Sequence, residues 1–161
     1  MADLDIFAIG RLKQDAEEKL EARYLERLKK AGPMGGLRSV TITDLTESRQ
    51  RGTSERKEEE ATRLTERLKP QNFLIALDEK GKSLTSLAFA DKLRSWIDQG
   101  ETRIVFAIGG PDGHGKSLLQ KADYKFSLSP LTLPHGLARI LLMEQLYRAV
   151  TIWSGHPYHR E

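Results

Sequence analysis

Apolar runs and amphipathic stretches alternate along the chain. Strands are expected where short runs are mostly apolar or alternate apolar with polar residues, at 4–10, 37–45, 73–77, 104–108 and 124–128. Helices are expected where apolar residues recur every three or four positions, at 15–30, 55–68, 84–99, 116–122 and 134–153. Helices that follow strands in this order predict an α/β fold, in which a mainly parallel sheet is flanked by helices.

Individual residues mark the expected ends of these elements. Ser54 is expected to cap the second helix, and Pro134 is expected to take the first position of the last helix. The charged segment 79–82 is expected to form a turn after the third strand. Pro157 cannot continue a helix, so residues 156–161 are expected to form a separate tail.

The helical spacing also predicts which side chains are buried. In the first helix the expected buried face consists of Ala16, Leu20, Tyr24 and Leu28. In the third helix it consists of Leu87, Ala90, Leu93, Trp96 and Ile97.

Composition narrows the class of protein. A chain of 161 residues is long enough for one domain, 1–161, that buries roughly two-thirds of its unfolded surface. It has no cysteine, which excludes disulfides, thiolate metal sites and cysteine nucleophiles and fits a reducing compartment. Acidic residues near the start and the lack of a long apolar run argue against a secretory signal or a membrane span. We therefore expect a cytoplasmic protein that has no membrane partner.

The charge is spread evenly over the chain. There are 26 basic and 23 acidic residues, a net charge of +3, and each half of the chain is close to neutral. A protein that neutralises many phosphates usually carries a basic stripe. Any nucleic-acid partner is therefore expected to be recognised by shape, or through contacts assembled from more than one chain.

The segment Gly110 to Ser117 matches the phosphate-loop pattern G-x-x-x-x-G-K-S between a strand and a helix. In P-loop NTPases this loop follows the first strand and the acidic strand comes later. Here three strands and three helices precede the strand that delivers the loop, and the strand that ends at Asp78 comes before it. Asp112 also puts an acid where phosphate would sit. A P-loop NTPase or kinase is kept as the alternative hypothesis, and the strand order disfavours it.

Three loops follow neighbouring strands of the expected sheet: 77–82, 109–113 and 128–135. Ligands of open α/β sheets bind beyond the carboxyl ends of the strands, so these loops are expected to wall one pocket. Gly109 and Gly110 let backbone amides approach a ligand closely. The third loop is apolar, which suits the face of an adenine ring.

Three strings in the chain closely resemble the RlmH family of ribosomal RNA large-subunit methyltransferases. They are A-I-G-G-P-D-G at 107–113, L-S-P-L-T-L-P-H at 128–135 and H-P-Y-H-R-E at 156–161. The opening F-A-I-G at 7–10 fits as well, so the resemblance covers essentially the whole chain. Asp112 and Ser129-Pro130 depart from the residues that many relatives carry at these positions.

The resemblance implies a SPOUT fold with a C-terminal trefoil knot, a homodimer, and S-adenosylmethionine as cofactor. It further implies methylation of N3 of a pseudouridine in helix 69 of 23S rRNA, on assembled ribosomes. The cofactor contacts it implies are Leu77, Gly109, Leu128, Ser129, Pro130, Leu131, Thr132 and Leu133. A non-catalytic ribosome-binding factor is a further alternative, but such a protein would tolerate loss of the pocket loops, and all three look intact.

The reaction itself points to candidate residues in the tail. N3 of a pseudouridine is protonated at neutral pH, so its methylation needs a general base or a cation that stabilises the developing anion. His159 is the candidate for this work, because histidine titrates in the right range. Tyr158 and Arg160 are expected to shape the pocket or to hold the uridine oxygens and a phosphate. The structural alternative is that the tail frays.

Other residues near these motifs receive structural interpretations. His135 is expected to be a local cap or core partner rather than a base, and Arg139 a surface arginine rather than an RNA contact. His114, beside glycines, is expected to be exposed. Tyr147 and Trp153 are expected to pack in the core or a dimer interface rather than stack on bases. The spacing of the four histidines does not match a metal site, so no metal is expected.

Overall fold

The computed structural model describes residues 1–160, and Glu161, the last residue of the tail motif, lies outside the described residues. The described part forms five strands: β1 (Ala2–Ile9), β2 (Leu37–Leu45), β3 (Phe73–Ser83), β4 (Arg103–Ile108) and β5 (Tyr124–Ser127). It also forms five α-helices: α1 (Asp15–Ala31), α2 (Thr53–Thr65), α3 (Ser86–Asp98), α4 (Lys116–Lys121) and α5 (His135–Ser154). A short 3-10 helix, Gly32–Gly35, follows α1.

The strands form one sheet in the order β2-β1-β4-β3-β5, with parallel pairing between neighbours. On one face Leu28 of α1, Phe89 of α3 and Leu146 of α5 lie in a common apolar core with the sheet. On the other face Leu64 of α2 and Leu118 of α4 form a second core. Helices thus cover both faces, as expected for a parallel sheet, and the predicted α/β class is confirmed.

The expected turn at 79–82 is wrong, because β3 continues to Ser83. Leu77 and Lys82 are both in register with Phe126 of β5, so the residues between them bulge out of the ladder. Gly81 permits this path, since a Cβ there would lie 2.7 Å from the backbone of Lys125. The charged segment is therefore an excursion within a strand.

Two expected helix starts are also wrong by one or two positions. Gly52, not Ser54, precedes the first residue of α2. Pro134 is the residue before α5 and has extended backbone, so it does not occupy the first helical position. Each helix begins where the backbone leaves the extended conformation, and local residue preferences locate that point only approximately.

Two side chains expected in buried faces are exposed instead. Leu87 is two residues before the buried Phe89, so it points about 200° away around the helix and toward solvent. Ala16 lies in the first turn of α1, where Asp15 and Glu18 are also exposed. In contrast, Leu28, Leu93 and Trp96 are buried as expected.

The last helix is bordered by α1 and α3 on the same face of the sheet. The indole nitrogen of Trp153 donates to the carbonyl of Ala90 in α3 at 3.0 Å, which confirms the expected internal packing of this residue. Among the described residues, no helix has both the length and the apolarity to cross a membrane. The trefoil knot implied by the resemblance stays a prediction.

Candidate active site

A cavity of about 400 Å³ lies at the carboxyl ends of β4, β3 and β5, where the three predicted loops meet. Seven of the eight residues that the resemblance assigns to the cofactor line it: Leu77, Gly109, Leu128, Ser129, Leu131, Thr132 and Leu133. Pro130 is not among the lining residues. Further lining residues, which lie outside the three predicted loops, include Lys57, Leu119 and Ala138. A parallel sheet brings these loops to one edge.

The glycine loop after β4 is a tight turn. The amide of Gly113 donates to the carbonyl of Gly110 at 2.9 Å, and Gly113 has a φ of +84°, which favours glycine. A Cβ at Gly109 would lie 2.9 Å from the carbonyl carbon of Gly113. The missing side chain at 109 therefore makes room first for the backbone of the loop itself, which leaves the turn open toward the cavity.

The apolar loop after β5 is fixed by two serine hydroxyls. Ser127 Oγ donates to the carbonyl of Ser129 at 3.0 Å, and Ser129 Oγ accepts from the amide of Leu131 at 3.0 Å. These bonds satisfy polar groups of the loop locally, so leucine side chains remain to form the cavity wall. Leu131 itself is 70% exposed at the rim.

Helix α2 holds the glycine loop from outside the cavity. Arg56 donates to both carboxylate oxygens of Asp112, at 2.8 and 3.3 Å, and this bond lowers the pKa of Asp112 below its ordinary value. Ser117 Oγ donates to Glu58 Oε2 at 2.7 Å. Asp112, a departure from the family pattern, is thus a partner for Arg56. A pair 56 residues apart gives no signal in the sequence.

These contacts also bear on the phosphate-loop alternative. In a P-loop the serine hydroxyl that follows the lysine coordinates magnesium. In this chain that hydroxyl, of Ser117, is bound to a carboxylate of α2. The loop also carries the Asp112 carboxylate at the cavity, where a phosphate would be repelled. The geometry therefore disfavours nucleotide phosphate binding at this loop.

His135 begins α5 and lines the cavity. Both of its ring nitrogens are buried, and neither has a hydrogen-bond partner in the described part of the chain. Burial and the nearby guanidinium of Arg139 lower the pKa of His135, so the neutral ring is favoured. His135 is therefore not the cap of α5, which is Pro134, and its ring packs into the cavity wall. The expectation of a core partner stays a prediction.

His114 is turned inward, so the expectation that it is exposed is wrong. Its Nε2 lies 3.0 Å from the carbonyl of Ala107, and since a carbonyl only accepts, Nε2 carries the proton. Burial lowers the pKa of the ring. The residue thus secures the glycine loop to the end of β4.

Arg139 is 2% exposed, so the expectation of a surface arginine is wrong. Its guanidinium donates to both oxygens of Glu21 in α1, at 2.8 and 3.0 Å. It also lies 2.8 Å from the carboxylate of Asp44 in β2 and donates to the carbonyl of Gly10 at 3.3 Å. These acceptors come from parts of the chain about 100 residues away, and together they make burial of the charge tolerable.

Tyr158 and His159 hold the described part of the tail, residues 156–160, against α5, contrary to the alternative that it frays. Tyr158 Oη donates to Glu144 Oε1 at 2.9 Å, and its ring lies 4.8 Å from the ring of Tyr147. Arg148 lies 3.1 Å from Nδ1 of His159. Since a guanidinium only donates, this nitrogen accepts, and the buried Nε2 has no hydrogen-bond partner among the described residues. Arg160 is exposed.

The two predicted sets of site residues are not brought together within one described chain. None of the three tail candidates, Tyr158, His159 and Arg160, is among the residues that line the cavity. His159 binds Arg148, which lies ten residues, or about 15 Å, along α5 from the cavity residue Ala138. Within residues 1–160, no group of three or more histidine or carboxylate side chains is arranged to hold a metal ion.

Comparisons with known proteins agree with the resemblance in the sequence. A family model described as "Predicted SPOUT methyltransferase" matches residues 2–159. A protein of Rhizobium leguminosarum bv. trifolii named "Ribosomal RNA large subunit methyltransferase H" is 50% identical over 157 residues, 98% of each chain. Proteins of the same name from Brucella anthropi and Bartonella bacilliformis are 48% and 47% identical over 157 residues, again 98% of each chain.

Proposed function

This chain belongs to the SPOUT methyltransferase family, and we propose on that basis that it methylates N3 of a pseudouridine in helix 69 of 23S rRNA. The methyl donor is S-adenosylmethionine, and the substrate is the assembled ribosome in the cytoplasm. The observation that carries the proposal is the cavity formed by the three loops that the family motifs occupy. The name shared by relatives that are 47–50% identical supports large-subunit rRNA as the substrate.

The residues at the cavity fit S-adenosylmethionine. A volume of about 400 Å³ is in the range of small-molecule sites. Leu77, Leu128 and Leu133 offer apolar surface to a flat base, and the backbone at Gly109 offers polar groups to its edge. The carboxylates of Asp78 and Glu79 suit the hydroxyl and ammonium groups of the cofactor. When bound, the cofactor supplies a methyl group already activated on a sulfonium, so the protein mainly positions the reactants.

The tail supplies the proton chemistry in this proposal. His159 takes the proton from N3 of the pseudouridine, and Arg160 stabilises the negative charge that develops on the adjacent oxygens. Tyr158 orients the tail through its bond to Glu144. For His159 to act as a base, its Nδ1 must leave Arg148 or the ring must change tautomer. Either change implies that the tail moves when substrate binds.

A homodimer reconciles this role with the position of the tail. Since the tail lies away from the cavity of its own chain, we infer that it serves the cavity of a second copy. Leu137 and Leu141 lie one turn apart on α5 and are 46% and 40% exposed, and Leu131 at the rim is 70% exposed. This apolar surface beside the cavity suits contact with a second copy. Two protomers also let a nearly neutral chain recognise a ribosome by shape.

Calorimetric titration tests the cofactor assignment first. The purified protein is titrated with S-adenosylhomocysteine and, separately, with magnesium ATP. We expect binding of S-adenosylhomocysteine alone. Binding of magnesium ATP alone would support the phosphate-loop alternative and contradict the proposed cofactor.

Methylation assays then test the substrate. Ribosomes that lack the modification are incubated with protein and labelled S-adenosylmethionine, and the modified nucleoside is identified by mass spectrometry after digestion. We expect N3-methylpseudouridine from helix 69 in ribosomes and little product from a free stem-loop of the same sequence. Efficient methylation of the free stem-loop would contradict the requirement for an assembled ribosome. Binding of S-adenosylhomocysteine without any methylation would favour the non-catalytic alternative.

A further inference from the structure

The segment 46–52, between β2 and α2, carries two free cations beside the cavity; we call it the arginine loop. Arg49 and Arg51 are both exposed. In the described residues, neither side chain takes part in a salt bridge or a side-chain hydrogen bond. The two arginines of α2 each form a salt bridge, Arg56 with Asp112 and Arg63 with Glu59. Arg49 and Arg51 therefore differ from the arginines of α2 in having no carboxylate partner among the described residues.

The backbone of the arginine loop is firmly held although its tip is exposed. Ser48 is buried, and its amide donates to Glu60 Oε2 at 2.9 Å. Gln50 is held at both ends, since its amide donates to Ser48 Oγ at 3.2 Å and its side chain donates to Glu59 at 2.8 Å. Arg63 donates to the carbonyl of Thr46 at 2.6 Å. A loop fixed at this many points presents its free side chains from a defined position.

Arg56 connects this loop to the wall of the cavity. Its Nη1 donates to the carbonyls of Gln50 and Arg51, at 3.2 and 2.8 Å. Its Nε and Nη2 donate to Asp112, which lines the cavity. A single guanidinium thus spans from the loop backbone to the glycine loop. The backbone that carries the free arginines is therefore tied to a residue of the cavity wall.

No acid near the arginine loop forms an ion pair with Arg49 or Arg51 in the described residues. Glu59 is used by Gln50 and Arg63. Glu60 is buried, and its burial raises its pKa. Glu47 points away from the tip, since its carboxylate would lie 2.8 Å from a Cβ placed on Gly10. Glu55 lies at the end of the loop, where its carboxylate would clash with a Cβ placed on Gly52. The loop therefore offers two guanidiniums that no carboxylate pairs with in the described residues.

We propose that the arginine loop binds backbone phosphates of the rRNA substrate and seats it beside the cavity. Guanidinium groups match phosphate oxygens in geometry and charge, and a preformed loop loses little entropy on binding. The loop reads no base and sets the position of the stem relative to the cavity. This inference rests on the proposed function, because it takes rRNA to be the substrate.

A pair of double variants tests the proposal. Arg49→Ala with Arg51→Ala removes the two free cations of the loop. The control, Arg23→Ala with Arg67→Ala, removes two other exposed arginines that make no salt bridge in the described chain, one on α1 and one beyond the far end of α2. Both variants lose the same net charge. Methylation of ribosomes is measured as kcat and KM over a series of salt concentrations, together with the affinity for S-adenosylhomocysteine.

We expect the loop variant to raise KM for ribosomes at least tenfold, with kcat within about twofold of wild type and unchanged S-adenosylhomocysteine affinity. The slope of log kcat/KM against log salt becomes shallower by roughly 1.5, since two phosphate contacts are lost. The control keeps the wild-type KM and slope. Equal effects in the two variants, or a fall in kcat at constant KM, would overturn the proposal. So would a weaker affinity for S-adenosylhomocysteine.

Photo-crosslinking identifies the partner of the loop. Arg51→p-benzoylphenylalanine in the full chain is irradiated on ribosomes, and the crosslinked component is identified. We expect 23S rRNA close to helix 69, whereas a crosslink to a ribosomal protein would overturn an RNA contact. If the wild-type protein does not methylate ribosomes at all, the proposed function fails first. If it does and the two double variants behave alike, only the inference about the loop fails.

Discussion

The cavity and the C-terminal tail differ in how distance along the chain translates into distance in space. Leu77 and Leu128 are 51 positions apart, yet they line one cavity. Leu133 and Tyr158 are 25 positions apart, yet Tyr158 packs beyond the middle of α5. A parallel sheet gathers the ends of its strands at one edge, whereas a helix of 20 residues separates its ends by about 30 Å. Residues that share a motif-rich C-terminal region therefore need not share a site.

Deletion of residues 156–161 should produce the largest effect. Without the tail, we expect kcat for ribosome methylation to fall by roughly 10³-fold or more, because the general base and its cationic partner are lost. The affinity for S-adenosylhomocysteine should stay within about threefold, since the tail does not line the cavity of the described chain. Calorimetry and initial rates measure the two quantities. Loss of cofactor binding would mean that the tail supports the cavity structurally.

The buried arginine at the cavity end of α5 should matter more for stability than the one at the tail end. Arg139→Met leaves Glu21 without its partner, and we expect the free energy of unfolding to fall by about 3–5 kcal/mol. Arg148→Met should cost about 1 kcal/mol, since its side chain is 22% exposed whereas that of Arg139 is 3% exposed. Urea denaturation measures both. Equal losses of unfolding free energy in the two variants would show that the deeper burial of Arg139 does not make it more important for stability.

A substitution in the glycine loop should affect the cavity and leave the tail intact. Gly109→Val places a branched side chain against the backbone of Gly113, and we expect the affinity for S-adenosylhomocysteine to fall about 100-fold or more. The free energy of unfolding should fall by about 1–3 kcal/mol. Thermal denaturation under the same conditions shows whether the lost affinity reflects a change at the cavity or unfolding of the whole protein. An unchanged affinity would place the cofactor elsewhere.

Mixed dimers test whether the two regions meet across a subunit interface. Chains that lack residues 156–161 are coexpressed with Gly109→Val chains, each inactive alone. Random pairing should restore about one quarter of the wild-type sites, because half the dimers are mixed and each has one intact cavity with one intact tail. Coexpression of the truncated chain with a chain that carries both changes is the control. Activity no higher than in this control would show that the tail acts on its own chain.

Acidification should destabilise the cavity end gradually. The pKa values of His114 and His135 are lowered by burial, so the folded protein takes up their protons at lower pH than the unfolded chain does. The free energy of unfolding should therefore fall as pH decreases below about 6.5. His114→Gln and His135→Gln should each flatten this dependence, as measured by urea denaturation at a series of pH values. If the free energy of unfolding fell with pH as steeply in both variants as in wild type, the two histidines would not be the groups responsible.

A separate loss is expected at lower pH from Asp3. Its hydrogen bond to Arg38 lowers the pKa of Asp3 from 3.8 to about 2. The stability from this pair is present above pH 4 and is lost between pH 4 and 2. Asp3→Asn should remove only this second loss.

Much of the fold and most of the cavity could be predicted because the signals are local or periodic. The alternation of strands and helices indicated a parallel sheet, and the loops at the ends of three neighbouring strands indicated one pocket. Recognition of the family motifs then narrowed the lining residues, of which only Pro130 is absent from the described cavity wall. The bulge in β3 was missed, because a charged segment with a glycine is typical of a turn, and only its pairing with β5 shows otherwise.

The burial of Arg139 and the partnership of Arg56 with Asp112 were decided by tertiary structure. The partners lie 56 and 118 residues away along the chain, so hydropathy and residue spacing do not predict these ion pairs. The chain's own pattern was enough for the α/β class, the loops of the cavity and the family. Packing between distant segments decided which charged side chains are buried and which end of α5 holds the tail. Burial and ion pairing are properties of the assembled surfaces and not of single positions.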